Sequence, residues 1–218
     1  VLEVGCGWGG FAEHAAAEYG ARVTAITISQ EQYDFARTRI KNAGLSHLVD
    51  IQLIDYRDVT GTYDSIVSIE MIEAVGELFW PSYFQTLSDR LKPTGKAAIQ
   101  MITMNDRDYD YYRSGPDFIQ RYIFPGGMLP AMNPLQPIFD KTGLELISAD
   151  GFGLDYARTL AVWRDRFWDA WDHIADMGFD DRFKRMWELY LMYCEGGFRT
   201  GYIDVKHVLL ERKETAEA

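Results

Sequence analysis

The sequence opens with Val1-Leu2-Glu3-Val4-Gly5-Cys6-Gly7-Trp8-Gly9-Gly10, an apolar run with one acid that leads directly into a glycine cluster. Glycine tolerates positive φ and has no Cβ, so the backbone of such a turn can approach a ligand closely. A strand that ends in this kind of turn is typical of nucleotide-binding α/β folds. The stretch therefore predicts a nucleotide-type cofactor at the first strand. Because the chain begins on a core strand, we also expect a segment N-terminal to Val1.

The glycine spacing of this turn fits two classes of cofactor site. Gly5, Gly7 and Gly10 satisfy the GxGxxG fingerprint of dinucleotide-binding folds. Such a site needs an acid about 20 residues later to hold a ribose hydroxyl, but the second predicted strand ends in Thr27-Ile28-Ser29. Glu3, two residues before the first glycine, instead resembles the pattern of class I methyltransferases that bind S-adenosylmethionine (SAM). We favour a SAM site over a dinucleotide site and over a turn that binds no ligand.

Composition limits the classes of function. A length of 218 residues with 47% hydrophobic content is enough for one large domain with its own core. The net charge of −11 argues against a nucleic-acid partner, because binding to phosphates needs a basic surface. Two cysteines give no disulfide framework, and four scattered histidines give no metal-ligand spacing, so we expect no metal. The sequence contains no run of about 20 apolar residues, so we predict no transmembrane segment.

Strand-like and helix-like segments alternate along the chain. Helices are predicted at 10–19, 30–42, 79–91, 156–175 and 181–193, and strands at 1–4, 21–26, 50–54, 63–68, 96–102, 143–150 and 202–210. This order predicts an α/β, Rossmann-like fold: a mostly parallel seven-stranded sheet with helices on both faces and ligands at the carboxyl ends of its strands. We expect a single domain over 1–218, with 104–142 inserted as a lid over a substrate channel and 213–218 as a frayed tail.

Six stretches together resemble one family. They are the opening ten residues, Thr27-Ile28-Ser29-Gln30-Glu31-Gln32, Asp55-Tyr56-Arg57-Asp58, Glu73-Ala74-Val75-Gly76, Tyr122-Ile123-Phe124-Pro125-Gly126 and Cys194-Glu195-Gly196-Gly197-Phe198-Arg199. In this order, over nearly the whole chain, they resemble the cyclopropane-fatty-acyl-phospholipid synthases, a group that includes the mycolic acid cyclopropane synthases. The resemblance implies a class I SAM-dependent C-methyltransferase. Members of this family carry a further N-terminal segment that the present sequence lacks.

The resemblance also implies a mechanism. The family transfers the methyl group of SAM to a cis double bond of an acyl chain, and a bound bicarbonate ion takes a proton from the resulting carbocation so that a cyclopropane ring closes. Glu73, Tyr156 and Cys194 match the positions that hold this bicarbonate. Gln100 stands where the family has a histidine, and Ala74 where a histidine often follows the glutamate. Because similar relatives make 10-methylene or 10-methyl fatty acids, the product stays open between a ring and these alternatives.

The same resemblance supplies the cofactor-binding residues. Residues predicted to contact SAM are Val1, Leu2, Glu3, Val4, Gly5, Cys6, Gly7, Trp8, Gly9, Thr27, Ile28, Ser29, Gln32, Tyr56 and Arg57. Thr27 and Gln32 match ribose contacts, and Tyr56 with Arg57 matches the adenine pocket, where an aromatic ring can stack on the base. For Ser29, helix capping is the preferred interpretation.

The expected partner is an unsaturated phospholipid acyl chain at a membrane surface, without nucleic acid. We accordingly expect a cytoplasmic protein, peripheral at the inner membrane face; a homodimer is one option for its assembly. Two other classes of function stay open: a methyltransferase for a small soluble substrate, and a non-catalytic protein that binds cofactor or lipid.

Overall fold

The strand that delivers the chain into the glycine turn is an interior strand of the sheet. The computed structural model describes residues 1–213. Its strands are β1 (Leu2–Val4), β2 (Val23–Thr27), β3 (Val49–Leu53), β4 (Tyr63–Ile69), β5 (Leu91–Met104), β6 (Leu144–Gly151) and β7 (Ile203–Arg212). They form one seven-stranded sheet in the order β3-β2-β1-β4-β5-β7-β6, in which β7 runs antiparallel to the other six strands. The predicted mostly parallel seven-stranded sheet is confirmed.

Nine helices of the described chain surround this sheet. They are α1 (Gly10–Tyr19), α2 (Gln30–Asn42), α3 (Trp80–Arg90), α4 (Tyr109–Tyr112), α5 (Phe118–Tyr122), α6 (Met132–Lys141), α7 (Gly153–Asp169), α8 (Trp171–Asp176) and α9 (Asp181–Arg199). Parallel strands covered on both faces are apolar along their whole length. Accordingly, all three residues of β1 are buried, including its acid.

Two hydrophobic cores hold the helices on the sheet. Beside β1 and β2, small side chains such as Ala12, Ala16 and Ala36 let α1 and α2 lie close to the strands. Beyond β4, the core is aromatic: the Tyr83 and Phe84 rings meet edge-on at 5.1 Å, and Phe84 meets Phe139 of α6 at 4.9 Å. The first core therefore brings backbone close to backbone, whereas the second fills a wider space with large rings.

Several segment bounds follow from local chemistry and agree with the sequence. Both α1 and α2 cover the predicted residues. The Ser29 hydroxyl accepts the Gln32 N–H at 3.3 Å at the start of α2, so the preferred capping interpretation is confirmed. After Tyr19, Gly20 adopts φ +63° and its N–H closes the last turn of α1.

Other bounds differ from the prediction. The strand predicted to start at residue 96 begins at Leu91, because the chain already pairs with β4 there. The helix predicted over 156–175 starts at Gly153 and is interrupted at Ala170, after which α8 begins at Trp171. The helix predicted over 181–193 continues to Arg199, so Cys194 lies inside α9 rather than after it.

The segment predicted as a lid, 104–142, contains α4, α5 and α6. Of these, α6 packs on the sheet through buried Leu135 and Phe139 and belongs to the core. The stretch before it is fastened at two points: Met104 N–H donates to the Pro130 carbonyl at 2.7 Å, and Met128 N–H donates to the Glu73 carbonyl at 2.8 Å. A lid function for this segment stays a prediction. Of the tail predicted to fray, Lys213 is anchored to Asp140 at 2.8 Å, and 214–218 lie outside the described residues.

Candidate active site

The glycine turn has the backbone that its sequence predicts. Gly5, Gly7 and Gly9 adopt φ values of +81°, +52° and +80°, a region that residues with a Cβ rarely enter. The Gly5 and Cys6 N–H groups both donate to the Ile26 carbonyl, which fixes the turn against β2. A Cβ on Gly5 would lie 2.7 Å from the Met71 side chain, whereas one on Gly7 would meet nothing within 4 Å. Gly7 therefore faces open space at the point where a ligand is predicted.

Burial limits which atoms of the opening strand and the turn after it can contact a ligand. Leu2 and Val4 are fully buried in the core, so they can reach a ligand only through their backbone. The Val1 amino group donates to the Arg22 carbonyl at 2.8 Å. Cys6 is buried, and burial raises the pKa of its thiol to about 12, so it is an unreactive packing residue. Trp8 is half exposed and meets the Phe35 ring edge-on at 5.3 Å.

Glu3 is a buried acid with a missing partner. Its side chain is buried, and the Oε2 atom has no hydrogen-bond partner among the described residues. Burial raises the pKa of the Glu3 carboxyl to about 8. A cationic ligand group beside it would restore the ionised form and satisfy the orphaned oxygen. The buried acid and the open space at Gly7 fit SAM, whose methionine portion carries an ammonium group.

The end of β2 brings together the two predicted ribose contacts. The Thr27 hydroxyl donates to the Gln32 side-chain oxygen at 2.7 Å and accepts the Ser29 N–H at 3.1 Å. Thr27 is buried, whereas Ile28 projects into solvent with 77% of its surface exposed. Thr27 and Gln32 are thus held in one fixed pair of neutral polar groups, which suits a ribose hydroxyl.

The predicted adenine pocket follows β3. Tyr56 begins a short 3-10 turn that Asp55 caps, and its ring meets Tyr83 edge-on at 5.7 Å. Arg57 makes two hydrogen bonds to the Asp55 carboxylate, at 2.9 and 2.7 Å. This pairing lowers the pKa of Asp55 and fixes the guanidinium beside the Tyr56 ring, at 5.9 Å from its centre. The Tyr56 ring is thus held between Tyr83 and Arg57, and its stacking on an adenine stays a prediction. Arg57 is positioned by Asp55, a partner that the sequence analysis did not assign.

After the carboxyl end of β4, Glu73 is half-buried as a residue, but its carboxyl group is enclosed. Its Oε1 atom accepts the Ile102 N–H at 2.6 Å, while Oε2 is buried with no partner among residues 1–213. Burial raises the pKa of this carboxyl to about 7, with the Ile102 hydrogen bond acting in the opposite direction. Near neutral pH the group can therefore hold or release a proton, which is useful for acid or base chemistry.

Tyr156 and Gln100 meet at a residue that the sequence analysis missed. The Tyr156 hydroxyl donates to the Glu70 carboxylate, with distances of 2.9 and 2.8 Å to its two oxygens. Gln100 Nε2 donates to the same carboxylate at 2.7 Å, and Gln100 Oε1 lies 3.0 Å from His207 Nε2. Burial and the nearby Glu70 charge raise the pKa of Tyr156, so it stays a neutral donor.

Glu70 carries one structural mark of a functional site. It is the only non-glycine residue of the described chain with positive φ, at +50°. Such conformations cost of order 1–3 kcal/mol and concentrate at active sites. The sequence offers one signal, an acid placed directly after a buried strand, but nothing in it indicates the left-handed backbone.

Cys194 lies on α9 without a hydrogen bond to the other predicted residues in the described structure. Burial raises the pKa of its thiol to about 12, so it is no nucleophile. Tyr190, one turn earlier on α9, shares its face. Burial, together with the nearby Cys194 and Glu70 groups, raises the pKa of Tyr190. Cys194 thus belongs to the wall of the site, and the structure shows no direct contact between it and Glu73.

Aromatic rings line this side of the molecule. Tyr156 packs against Phe198 at 4.8 Å and meets Trp163 edge-on at 6.3 Å, and Tyr190 packs against Trp187 and Phe124 at 5.0 and 6.0 Å. Faces of aromatic rings attract cations. An electron-deficient intermediate beside these rings would be stabilised and kept from water.

A cleft of about 730 Å³ lies beside the starts of α7 and β7, but its charged side chains pair within the chain, as Lys206 does with Asp204 at 2.7 Å. Within residues 1–213, no group of three or more His, Cys, Asp or Glu side chains could hold a metal ion. No helix in that range combines the length and the apolar character needed to cross a bilayer.

Comparison with known proteins identifies the family of this chain. Residues 1–208 match the family described as mycolic acid cyclopropane synthetase. The chain is 49% identical to a tuberculostearic acid methyltransferase of Mycobacterium tuberculosis, over 98% of this chain and 50% of that protein. It is 38% identical to the cyclopropane-fatty-acyl-phospholipid synthase of Escherichia coli, over 97% of this chain and 53% of that one. The chain thus spans about half the length of the curated relatives it matches.

Solved structures show the same fold. A mycolic acid cyclopropane synthase in complex with SAH and CTAB superimposes with a TM-score of 0.88 and 26% identity, over 97% of this chain and 77% of that one. A cyclopropane synthase from Mycobacterium tuberculosis gives a TM-score of 0.87 with 27% identity, over 96% and 76% of the two chains. The fold is therefore that of the class I SAM-dependent methyltransferases, as the sequence predicts.

Proposed function

Because this chain belongs to the mycolic acid cyclopropane synthetase family, we propose that it transfers the methyl group of SAM to a cis double bond of an unsaturated fatty-acyl chain. An alkene carbon has no proton to remove before it attacks a methyl group. The site must instead stabilise the carbocation that methylation creates, exclude water, and then accept a proton.

The observation that carries the proposal is the environment of Tyr156. On one side its hydroxyl contacts the Glu70 carboxylate, and on the other its ring packs in a wall of aromatic side chains. Carboxylate and rings together supply the two functions that a carbocation needs, a proton acceptor and cation-stabilising faces. They lie at the carboxyl ends of the parallel strands, the edge that also carries the glycine turn.

SAM supplies an electrophilic methyl group when it is bound. We propose that the turn from Gly5 to Gly9 passes along the cofactor and that Glu3 faces its ammonium group. Thr27 with Gln32 would hold the ribose, and Tyr56 would stack on the adenine. The remaining predicted contacts of this edge, Val1, Leu2, Val4, Ile28 and Arg57, stay predictions.

Two products can follow from one methylated cation. The proposed product is a cyclopropane fatty acid, in which a proton leaves the new methyl group and a ring closes. The second candidate is a 10-methylene fatty acid, for which a hydride shifts to the cationic carbon and a proton then leaves so that an alkene forms; a 10-methyl fatty acid would need a further two-electron reductant. The higher identity to a tuberculostearic acid methyltransferase, 49% against 38% for the cyclopropane synthase of Escherichia coli, favours this second candidate.

The bicarbonate ion that the resemblance implies does not fit the donors of this site. The Tyr156 hydroxyl and the Gln100 amide both donate to Glu70, and the Glu73 carboxyl accepts the Ile102 N–H. These groups are therefore already paired within the protein. Cys194 is a weak donor at best. A free oxyanion would therefore lie beside two carboxyl groups with few donors turned toward it, and we derive no step through it.

The proposed substrate is the acyl chain of a phospholipid, reached from the cytoplasmic side of the inner membrane. Large apolar side chains are exposed on the segments next to the aromatic wall: Leu78, Phe79, Tyr111, Tyr122 and Phe124. Exposed apolar groups of this kind support contact with lipid. Because the net charge is −11, the proposed contact depends on these apolar groups rather than on general attraction to anionic lipid.

The proposal is tested by incubating the full-length protein with labelled SAM and vesicles of phospholipid that carry oleoyl chains, followed by mass spectrometry of the released fatty acids. We expect a mass gain of one CH₂ in the acyl chain. Loss of the alkene identifies the ring, whereas a retained alkene identifies the methylene product. Saturated vesicles serve as the control, because they lack the double bond. Transfer of label to a soluble small molecule but not to oleoyl lipid contradicts the proposal.

A further inference from the structure

Glu70 occupies a conformation that must be maintained by its contacts. Its φ of +50° places a side-chain-bearing residue in the left-handed region, immediately after β4. Its own N–H donates to the Gln100 carbonyl at 2.8 Å, which continues the pairing between β4 and β5 for one residue beyond the last strand pair. The strained residue is thus fixed at the sheet edge, beside Gln100.

The Glu70 carboxylate is held by two donors whose orientation is determined. Gln100 must turn its NH₂ group toward Glu70, because the opposite orientation would place the amide oxygen against a carboxylate. Its Oε1 atom then accepts from His207 at 3.0 Å, which supports the same orientation from the next strand. The Tyr156 hydroxyl has one proton, and that proton is directed at Glu70.

The family resemblance assigns Tyr156 to bicarbonate, and Gln100, the second donor, stands where the family has a histidine. A carboxylate and a bicarbonate ion present the same planar pair of oxygens to hydrogen-bond donors. In this chain the side chain of Glu70 already fills that place. The acceptor that other proteins would recruit from solution is here part of the polypeptide.

We propose that Glu70 itself accepts the proton from the methylated acyl cation, so that the reaction needs no bicarbonate. The inference rests on the proposed function. In the ring-forming reaction, the π electrons of the alkene form a bond to the methyl carbon as the S–CH₃ bond breaks. A Glu70 oxygen then takes a proton from that methyl group, and the electron pair of the broken C–H bond forms the last ring bond. Glu70 is half-buried, so its proton passes to water at the exposed edge.

Two substitutions separate this role from a structural one. Glu70→Gln keeps the shape and the hydrogen bonding but removes the proton acceptor, and we expect kcat to fall about 100-fold or more with SAM affinity unchanged. Glu70→Gly relieves the left-handed strain and leaves an anion-sized space facing Tyr156 and Gln100. For Glu70→Gly we expect kcat to fall to the same extent in CO₂-free buffer. Added bicarbonate or formate should raise the kcat of this variant at least tenfold. Glu18→Gln, an exposed acid on α1, is the matched control and leaves activity unchanged.

The wild-type protein provides the complementary measurement. Its rate in CO₂-free buffer should change less than twofold when bicarbonate is added. In ¹³C NMR, labelled bicarbonate should broaden with Glu70→Gly but not with wild type, a readout that needs no turnover. Strict dependence of the wild-type rate on bicarbonate, or full activity of Glu70→Gln, overturns the inference. Absence of methyl transfer by the wild-type protein under every condition contradicts the proposed function instead.

Discussion

The two halves of the site are built from contacts of different range. On the cofactor side, formed by β1, β2, β3 and the segments that follow them, Thr27 contacts Gln32 and Arg57 contacts Asp55, partners five and two residues apart. On the reaction side, formed by β4, β5, β7 and α7, Glu70 contacts Gln100 across 30 residues and Tyr156 across 86. Local contacts are encoded in short motifs, whereas the distant ones exist only once the strands have paired in register. We therefore expect the two sides to respond differently to mutation.

The largest effect is expected on the reaction side. Tyr156→Phe keeps the aromatic wall but removes the donor that orients Glu70, so we expect kcat to fall about 100- to 1000-fold. The dissociation constant for SAM, measured by calorimetry, should stay within twofold, because the cofactor side is untouched. Tyr19→Phe, an exposed tyrosine of α1, is the control. A rate within threefold of wild type would mean that Tyr156 serves packing alone.

The second effect concerns stability as a function of pH. The pKa of Glu73, about 7 in the fold, lies above its ordinary value of 4.5, so the folded state binds the proton more tightly than the unfolded state. Its contribution to the free energy of unfolding therefore falls as the pH rises from about 4.5 to 7, by up to about 3 kcal/mol. Glu73→Gln lacks this titration.

The measurement is urea unfolding of wild type and Glu73→Gln at several pH values. We expect the free energy of unfolding of Glu73→Gln to rise relative to that of the wild type between about pH 4.5 and 7. Above pH 7 the difference should level off. Glu3, which titrates in both proteins, cancels in the comparison. A difference that stays constant from pH 4 to 8 would mean that Glu73 keeps its ordinary pKa in the fold.

The third effect is on the cofactor side. Gly5→Ala adds a Cβ that lies 2.7 Å from Met71 on a backbone with φ +81°, so we expect a loss of about 2 kcal/mol in stability and about 30-fold in SAM affinity. Gly20→Ala has similar strain, with φ +63° but no neighbour within 4 Å, and isolates the cost of conformation from that of the clash. Equal SAM affinities for both variants would show that the turn tolerates the added atom.

The smallest effect separates ribose binding from capping at the end of β2. Thr27→Val removes the hydroxyl that joins Gln32 and the Ser29 N–H, and we expect SAM affinity to fall about fivefold, or about 1 kcal/mol. Ser29→Ala should cost a similar free energy of unfolding through the lost cap while leaving SAM affinity unchanged. The opposite pattern, with affinity lost in Ser29→Ala, would assign the ribose contact to Ser29.

The sequence predicts the cofactor side better than the reaction side, for physical reasons. Glycines with positive φ, the Ser29 cap and the bounds of α1 and α2 depend on neighbours within a few residues, and all are confirmed. Glu70 was missed because its importance comes from the β4–β5 register and from a backbone conformation that glutamate rarely adopts. The contact between His207 and Gln100 was missed for the same kind of reason, because the two residues lie 107 positions apart in the sequence.

The reversed direction of β7 has a consequence for insertions and deletions. In its register with β5, His207 stands opposite Gln100, with Lys206 and Val208 opposite the flanking positions. Because successive strand residues point to opposite faces, a shift by one position would turn the imidazole to the other side of the sheet. The length of the short connection between α9 and β7, far from any cofactor contact, therefore decides whether Gln100 keeps its support. We expect insertions or deletions in this connection to preserve the fold but to lower kcat.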